Sequence, residues 1–194
     1  LDLLDVLKVP RAVIAGNSLG GEVAWRLAAM APERVAGLVL VDAVGPAFKP
    51  EAEPMGFLIA RAPVIGGISQ GYLPRALVAQ GLASVYAQPE KVSAELVDRY
   101  FELALRDGNR RALTLRLRQM VAGEHTERIA ALKQPTLILW GDRDRLIPPA
   151  VGRQFQQLIA GSRLVLLEGL GHVPQEEDPA RSVAPVKDFL QGLR

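Results

Sequence analysis

Cysteine is absent from the 194-residue chain. Thiolate nucleophiles, disulfides and Cys-ligated zinc or iron–sulfur sites are thereby excluded, while the redox compartment stays open because a cysteine-free chain folds in either environment. Histidine is nearly absent too: His125 and His172 are the only two, so a His-rich metal site is not expected, and no cofactor motif is found. Neither sign of charge dominates, with 23 basic against 21 acidic residues. The densest basic stretch, Arg106, Arg110, Arg111, Arg116 and Arg118, is interleaved with Leu113, Leu115 and Leu117 and holds no aromatic for base stacking. It reads as a solvated helix face, and no nucleic-acid partner is expected. No run of 18 apolar residues occurs, and the chain opens Leu1-Asp2-Leu3-Leu4-Asp5 without a basic segment before an apolar one. No membrane partner or signal peptide is therefore expected, and a cytoplasmic location is the default. Oligomeric state stays open.

What is present is an ordinary globular composition, 49% apolar. A chain of this length buries roughly 70% of its unfolded surface without a disulfide or metal. Leu1, Leu4 and Leu7 recur at helical spacing up to Val9-Pro10, predicting a short first helix. Arg11 to Gly16 is a brief apolar run with β-branched residues, suited to a strand buried on both faces. Leu19 to Met30 predicts a helix and Val35 to Val41 a second buried strand, completing a βαβ unit. From Asp42 the pattern breaks at Gly45, Pro46, Pro50, Pro54, Pro63, Gly66, Gly67, Gly71 and Pro74. Helices capped at Ser93 and running to Met120 follow, separated by Asp107-Gly108-Asn109. Alternation resumes with a helix over 127–132, a strand over 136–140, a helix over 148–160, a strand over 162–167 and a closing helix over 181–193. The expected fold is α/β, a mostly parallel sheet flanked by helices. Its segments are a core over 1–45, a helical insertion over 46–125 and a second core segment over 126–194.

Chemistry concentrates in Ile14-Ala15-Gly16-Asn17-Ser18-Leu19-Gly20-Gly21, where a strand runs through G-x-S-x-G into a helix. A serine in such a strained turn projects above the sheet, and small residues are expected on either side, at Gly16 and Gly20. The helix N-terminus places the Leu19 N–H where it can face a developing oxyanion. An unactivated serine is a weak nucleophile, so the motif calls for a base and an orienting acid. His172, in the Gly-rich loop Gly169-Leu170-Gly171-His172, is the candidate base; His125 sits among polar residues. Trp140-Gly141-Asp142-Arg143-Asp144 supplies the acid, with Asp144 preferred and Asp42 and Asp142 as alternatives. The chain order Ser18, Asp144, His172 matches the α/β-hydrolase arrangement.

With the elbow Gly16 to Gly21, the strand ending at Asp42, the acid turn Trp140 to Asp144 and the histidine loop Gly171 to Pro179, the sequence resembles the α/β-hydrolase superfamily. That resemblance implies a catalytic triad of Ser18, Asp144 and His172, and it gives the insertion the position of a cap. Phe57, Leu58, Ile59, Tyr72, Leu73, Leu77 and Val78 are apolar residues of that insertion, some of them expected to line a pocket. The resemblance further implies about four strands before the elbow and a second oxyanion donor on a loop among them. Neither precedes Leu1, so the chain is expected to be the C-terminal portion of a longer fold, with Arg11 to Gly16 as an exposed apolar edge. The implied activity is cofactor-independent hydrolysis of a small-molecule ester or similar acyl substrate. Alternatives are a non-catalytic or incomplete fold, an acyltransferase, or a carbon–carbon bond hydrolase of ring-cleavage products. Asn17 before the serine resembles the last of these, whereas Val173 stands where that group tends to carry tryptophan.

Overall fold

The computed structural model describes residues 1–62, 71–121 and 123–193; Pro63, Gly66 and Gly67 lie outside them. Four apolar stretches form strands β1 (Ala12–Asn17), β2 (Val35–Val41), β3 (Thr136–Gly141) and β4 (Arg163–Leu167). They pair in parallel in chain order, with Asn17 beside Val41, Val41 beside Leu139 and Gly141 beside Leu167. β1 thus forms one edge, where Val13 and Ile14 are half-buried and Ala15 is exposed.

Alternating side chains of the central strands feed two cores, as a sheet covered on both faces requires. Leu38, Leu40, Ile138 and Trp140 point into one, against α2 (Leu19–Met30), α7 (Thr126–Ala130) and α8 (Pro149–Leu158). Val39, Leu137 and Leu139 point into the other, against Val186 and Phe189 of α10 (Pro179–Gly192). Trp25 and Trp140 are both core residues; their indole N–H groups donate to the carbonyls of Val44 (2.8 Å) and Ile147 (2.9 Å). Burying an indole without such a partner would cost on the order of 1–3 kcal/mol.

Between β2 and β3 run α3 (Met55–Arg61), α4 (Arg75–Val85), α5 (Ala94–Leu105) and α6 (Asn109–Gln119), followed by α7. Ser93 caps α5 by accepting from the Leu96 N–H. Of the basic stretch expected to be solvated, Arg106, Arg111 and Arg118 are exposed, whereas Arg110 and Arg116 are half-buried. Glu22 of α2 is buried, and a buried carboxylate requires cationic partners; it takes Arg26 (2.9 Å) and Arg116 of α6, which ties α6 to the sheet-bound helix. Arg118 donates to the Ala62 carbonyl and Arg110 to that of Ala104.

Two features of the terminal helices differ from expectation. The closing helix begins at Pro179, where proline fits the first helical position and the Asp178 carboxylate accepts from the Arg181 N–H, and a short α9 (Pro174–Glu177) precedes it. The first helix, α1 (Asp2–Val6), leaves Leu3, Val6 and Leu7 exposed in spite of its apolar spacing, because no described element packs against that face.

Candidate active site

Parallel strands deliver their following loops to one edge of the sheet, and that edge is where the chemistry gathers. Ser18 follows β1, Asp42 follows β2, Asp144 lies just beyond β3 and His172 beyond β4. Ser18 sits at φ 55°, ψ −118°, a left-handed conformation that costs a non-glycine residue about 1–3 kcal/mol. Surrounding bonds hold it there: its N–H donates to the Val41 carbonyl (2.9 Å), and its carbonyl accepts from the N–H groups of Val44 (3.0 Å) and Glu22 (3.2 Å). Leu19 opens α2, so its N–H has no acceptor within the helix.

The steric demands of the turn fall on Gly16, as expected, and on Gly21 in place of Gly20. A Cβ on Gly16 would lie 2.1 Å from the Gly20 carbonyl oxygen, and one on Gly21 would lie 2.4 Å from the Ala43 Cβ, whereas one on Gly20 would meet nothing within 4 Å. Gly20 matters through its backbone, which Gly16 lets approach. Gly16→Ala is therefore expected to lower stability by about 2–3 kcal/mol in urea unfolding, and Gly20→Ala by less than about 1 kcal/mol. Equal midpoints for the two variants would contradict this account.

The three candidate acids separate cleanly. Asp144 Oδ2 accepts from His172 Nδ1 at 2.7 Å, and its Oδ1 accepts from the backbone N–H groups of Leu146 (2.8 Å) and Ile147 (2.9 Å). Because an ionised carboxylate can only accept, this bond fixes the tautomer that leaves a lone pair on His172 Nε2. Nε2 is buried and has no hydrogen-bond partner among the described residues. Asp142 instead accepts from the Gly169 N–H (2.6 Å) at the surface, and Asp42 accepts from the Gly141 N–H (3.0 Å) without bonding the imidazole. His125 lies near Glu124 and Glu127, outside this cluster. Asp42, Asp144 and His172 each bring one possible ligand atom to within 4.8 Å of the others, although the bond between Asp144 and His172 already occupies the imidazole Nδ1. Burial and the neighbouring Asp144 charge hold the Asp42 carboxyl well above the usual carboxylate range.

The histidine loop is anchored by Asn17 and by residues whose part in the site has no sequence signal. The His172 N–H donates to the Val85 carbonyl (2.9 Å) at the end of α4, and its own carbonyl accepts from Asn17 Nδ2 (3.0 Å). Glu177, raised by burial, accepts from the N–H groups of Gly171 (2.7 Å) and Ala87 (2.9 Å). Glu176 accepts from the hydroxyls of Tyr86 and Tyr100, each at 2.8 Å, and burial together with Glu176 keeps both phenols protonated far into the alkaline range. Adjacent glutamates after a histidine are visible in the sequence; partners 76 and 90 residues away are not. Glu176→Ala, which removes two charge-assisted bonds, is expected to cost about 1–3 kcal/mol and to lower Tm by several degrees. A melting curve superimposable on that of the unsubstituted protein would show that these bonds add nothing.

Ser18, Asn17 and His172 open onto a cavity of about 370 Å³ walled by apolar residues of α3, α4 and α6, including Phe57, Ile59, Leu77, Val78, Leu82 and Leu113, and by Leu73 just before α4. Of the insertion residues expected near a pocket, Tyr72 also lines it, while Leu58 does not. Ser18 and Leu19 also border a second cavity of about 390 Å³, where the Glu53–Arg61 ion pair lies among Phe48, Phe57 and Met120.

Comparison with known proteins finds matching relatives and structures. The 2-hydroxymuconate semialdehyde hydrolase of Pseudomonas putida is 30% identical over 200 residues, covering 98% of this chain and 66% of that protein. An uncharacterized hydrolase of Bacillus subtilis, YugF, is 24% identical, covering 98% of this chain and 69% of that protein. The chain thus spans only about two thirds of these relatives' lengths. The meta-cleavage product hydrolase of Pseudomonas fluorescens IP01 superposes with a TM-score of 0.82 at 26% identity, over 99% of this chain and 69% of that one. A thermophilic esterase from Thermogutta terrifontis does so at 0.78 and 23%, over 98% and 69%, a likeness of fold. The family model described as alpha/beta hydrolase fold matches residues 1–179, and the chain belongs to that family.

Proposed function

We propose that this chain carries the site of a cofactor-independent serine hydrolase acting on a small-molecule ester or related acyl substrate. The observation that supports this most is His172 Nε2. It is buried and without a partner among the described residues, on an imidazole whose other nitrogen is held by Asp144, and it shares a cavity with a serine on a strained turn. In this reading His172 Nε2 takes the Ser18 proton as Oγ attacks the carbonyl carbon. The Leu19 N–H stabilises the oxyanion, and His172 returns the proton to the leaving group. Water then attacks the acyl-serine by the same relay, regenerating Ser18 and releasing the acid. Asp144 keeps the imidazole in the required tautomer and stabilises its charged form.

The two cavities meeting at Ser18 suit a substrate with two arms. The apolar cavity fits an acyl chain, and the second, with its Glu53–Arg61 pair, fits a more polar group. Covalent labelling by a fluorophosphonate, read by intact mass and located at Ser18 by peptide mapping, tests the reading. One adduct per chain on Ser18 is expected. No adduct would make the chain non-catalytic or catalytically incomplete. The similarity to ring-cleavage product hydrolases, together with Asn17, favours a second reading in which the same residues hydrolyse a carbon–carbon bond next to a ketone. A p-nitrophenyl ester assayed beside a vinylogous 1,5-diketone acid separates the two, and added alcohol reveals acyl transfer.

A further inference from the structure

Two carboxyl groups are packed beside one imidazole, and the mechanism above uses only one. Asp42 is 0% and Asp144 2% exposed, and with His172 their ligand atoms fall within 4.8 Å of one another. Two ionised carboxylates that close and that dry repel strongly with little water to screen them, so one of them holds a proton. The hydrogen bonds decide which. Asp144 accepts from three donors, the N–H groups of Leu146 and Ile147 and His172 Nδ1, an arrangement that stabilises a negative charge. Asp42 accepts from one, the Gly141 N–H on Oδ1, and its Oδ2 is a buried oxygen without a donor among the described residues. An oxygen of an acceptor-only carboxylate beside another carboxylate has nothing to bond; carrying a hydrogen, it becomes a donor.

We propose that Asp42 is a neutral carboxylic acid whose Oδ2 proton is shared with Asp144, which makes Asp42 a positioning residue that acts on His172 only through Asp144. The inference rests on the reading of Asp144 and His172 as acid and base. The strained backbone of Asp42, at φ 43°, turns its side chain from the end of β2 toward β3, where Gly141 meets it. Burial, the Asp144 charge and, more weakly, Glu177 of α9 all act against ionisation of Asp42. His172 then faces one negative charge, not two.

With only two histidines in the chain, the imidazole C2 protons resolve by NMR, and a His125→Gln variant assigns them. Asp42→Asn replaces a neutral donor by a neutral donor, so the His172 titration midpoint is expected to stay within about 0.3 unit of the unsubstituted protein, whereas loss of an ionised neighbour would lower it by about 1 unit or more and overturn the proposal. Asp42→Leu removes the donor and concentrates charge on Asp144, so the midpoint is expected to rise; an unchanged midpoint would show that Asp42 does not act through Asp144. Carboxyl-13C aspartate labelling of the unsubstituted protein needs no variant. One aspartate is expected to ionise well above all the others, and ionisation of every aspartate within the ordinary carboxylate range would overturn the assignment. These readouts do not depend on turnover. A failed fluorophosphonate reaction with an intact His172 titration would remove the hydrolase reading and leave the proton assignment standing.

Discussion

Ser18→Ala is expected to abolish ester turnover, with a loss on the order of 10⁶-fold in kcat, and to eliminate fluorophosphonate labelling. The substitution removes one oxygen from a turn whose backbone is held by Val41, Val44 and Glu22, none of which contacts the hydroxyl through the bonds described. Fold and cavity should therefore survive, and unfolding by urea serves as the control. A neutral serine hydroxyl attacks a carbonyl slowly, and the alanine variant retains only what the oxyanion donor and substrate positioning supply to water. Turnover within tenfold of the unsubstituted protein would place the nucleophile elsewhere.

Asp144→Asn should be the next most damaging change, lowering kcat/KM by about 10⁴-fold. An asparagine keeps the shape and can still accept from the Leu146 and Ile147 N–H groups, but its amide can present hydrogens to His172 Nδ1 in place of an accepting oxygen. The imidazole then carries its proton on Nε2, where it cannot take one from Ser18. Asp142→Asn lies two residues away yet touches only the Gly169 N–H, and it should stay within about threefold. Measuring both variants against the same ester isolates the acid. A large loss in Asp142→Asn, or a small one in Asp144→Asn, would reverse the assignment.

Local pattern made much of this molecule legible before any coordinates. The runs at Val35 to Val41 and Thr136 to Trp140 are apolar on both strand faces because both faces are covered, and the parallel α/β architecture follows from their alternation with helices. Ser18 and His172 stood out through scarcity and motif. Sequence could only rank Asp144 above Asp42 and Asp142, since their separation depends on which way each leaves its strand. Residues whose roles depend on distant partners were opaque. Arg116 looked like one cation on a basic face until Glu22 was found buried beneath it, and Glu176 and Glu177 gained meaning only once Tyr86, Ala87 and Tyr100 stood opposite. The glycine requirement was misplaced by one position because strain in the elbow resolves against Ala43, which lies in the next strand's loop.

The bond from the Gly141 N–H to Asp42 spans 99 residues, and that from Asn17 to the His172 carbonyl spans 155. Relative to the 24-residue reach from Asn17 forward to Val41, each doubling of the enclosed loop adds only about 0.6 kcal/mol of closure entropy, but such non-local pairings form slowly. At roughly 5–20 residues per second of synthesis, Asp42 leaves the ribosome several seconds before the strand that will shield its carboxyl exists. For that interval the face of β2 that carries Val39, which α10 covers in the folded chain, has no covering helix yet, whereas α2 is already made for the opposite face. A nascent chain therefore keeps one apolar sheet face uncovered until α10 is made, well after β3 has joined the sheet.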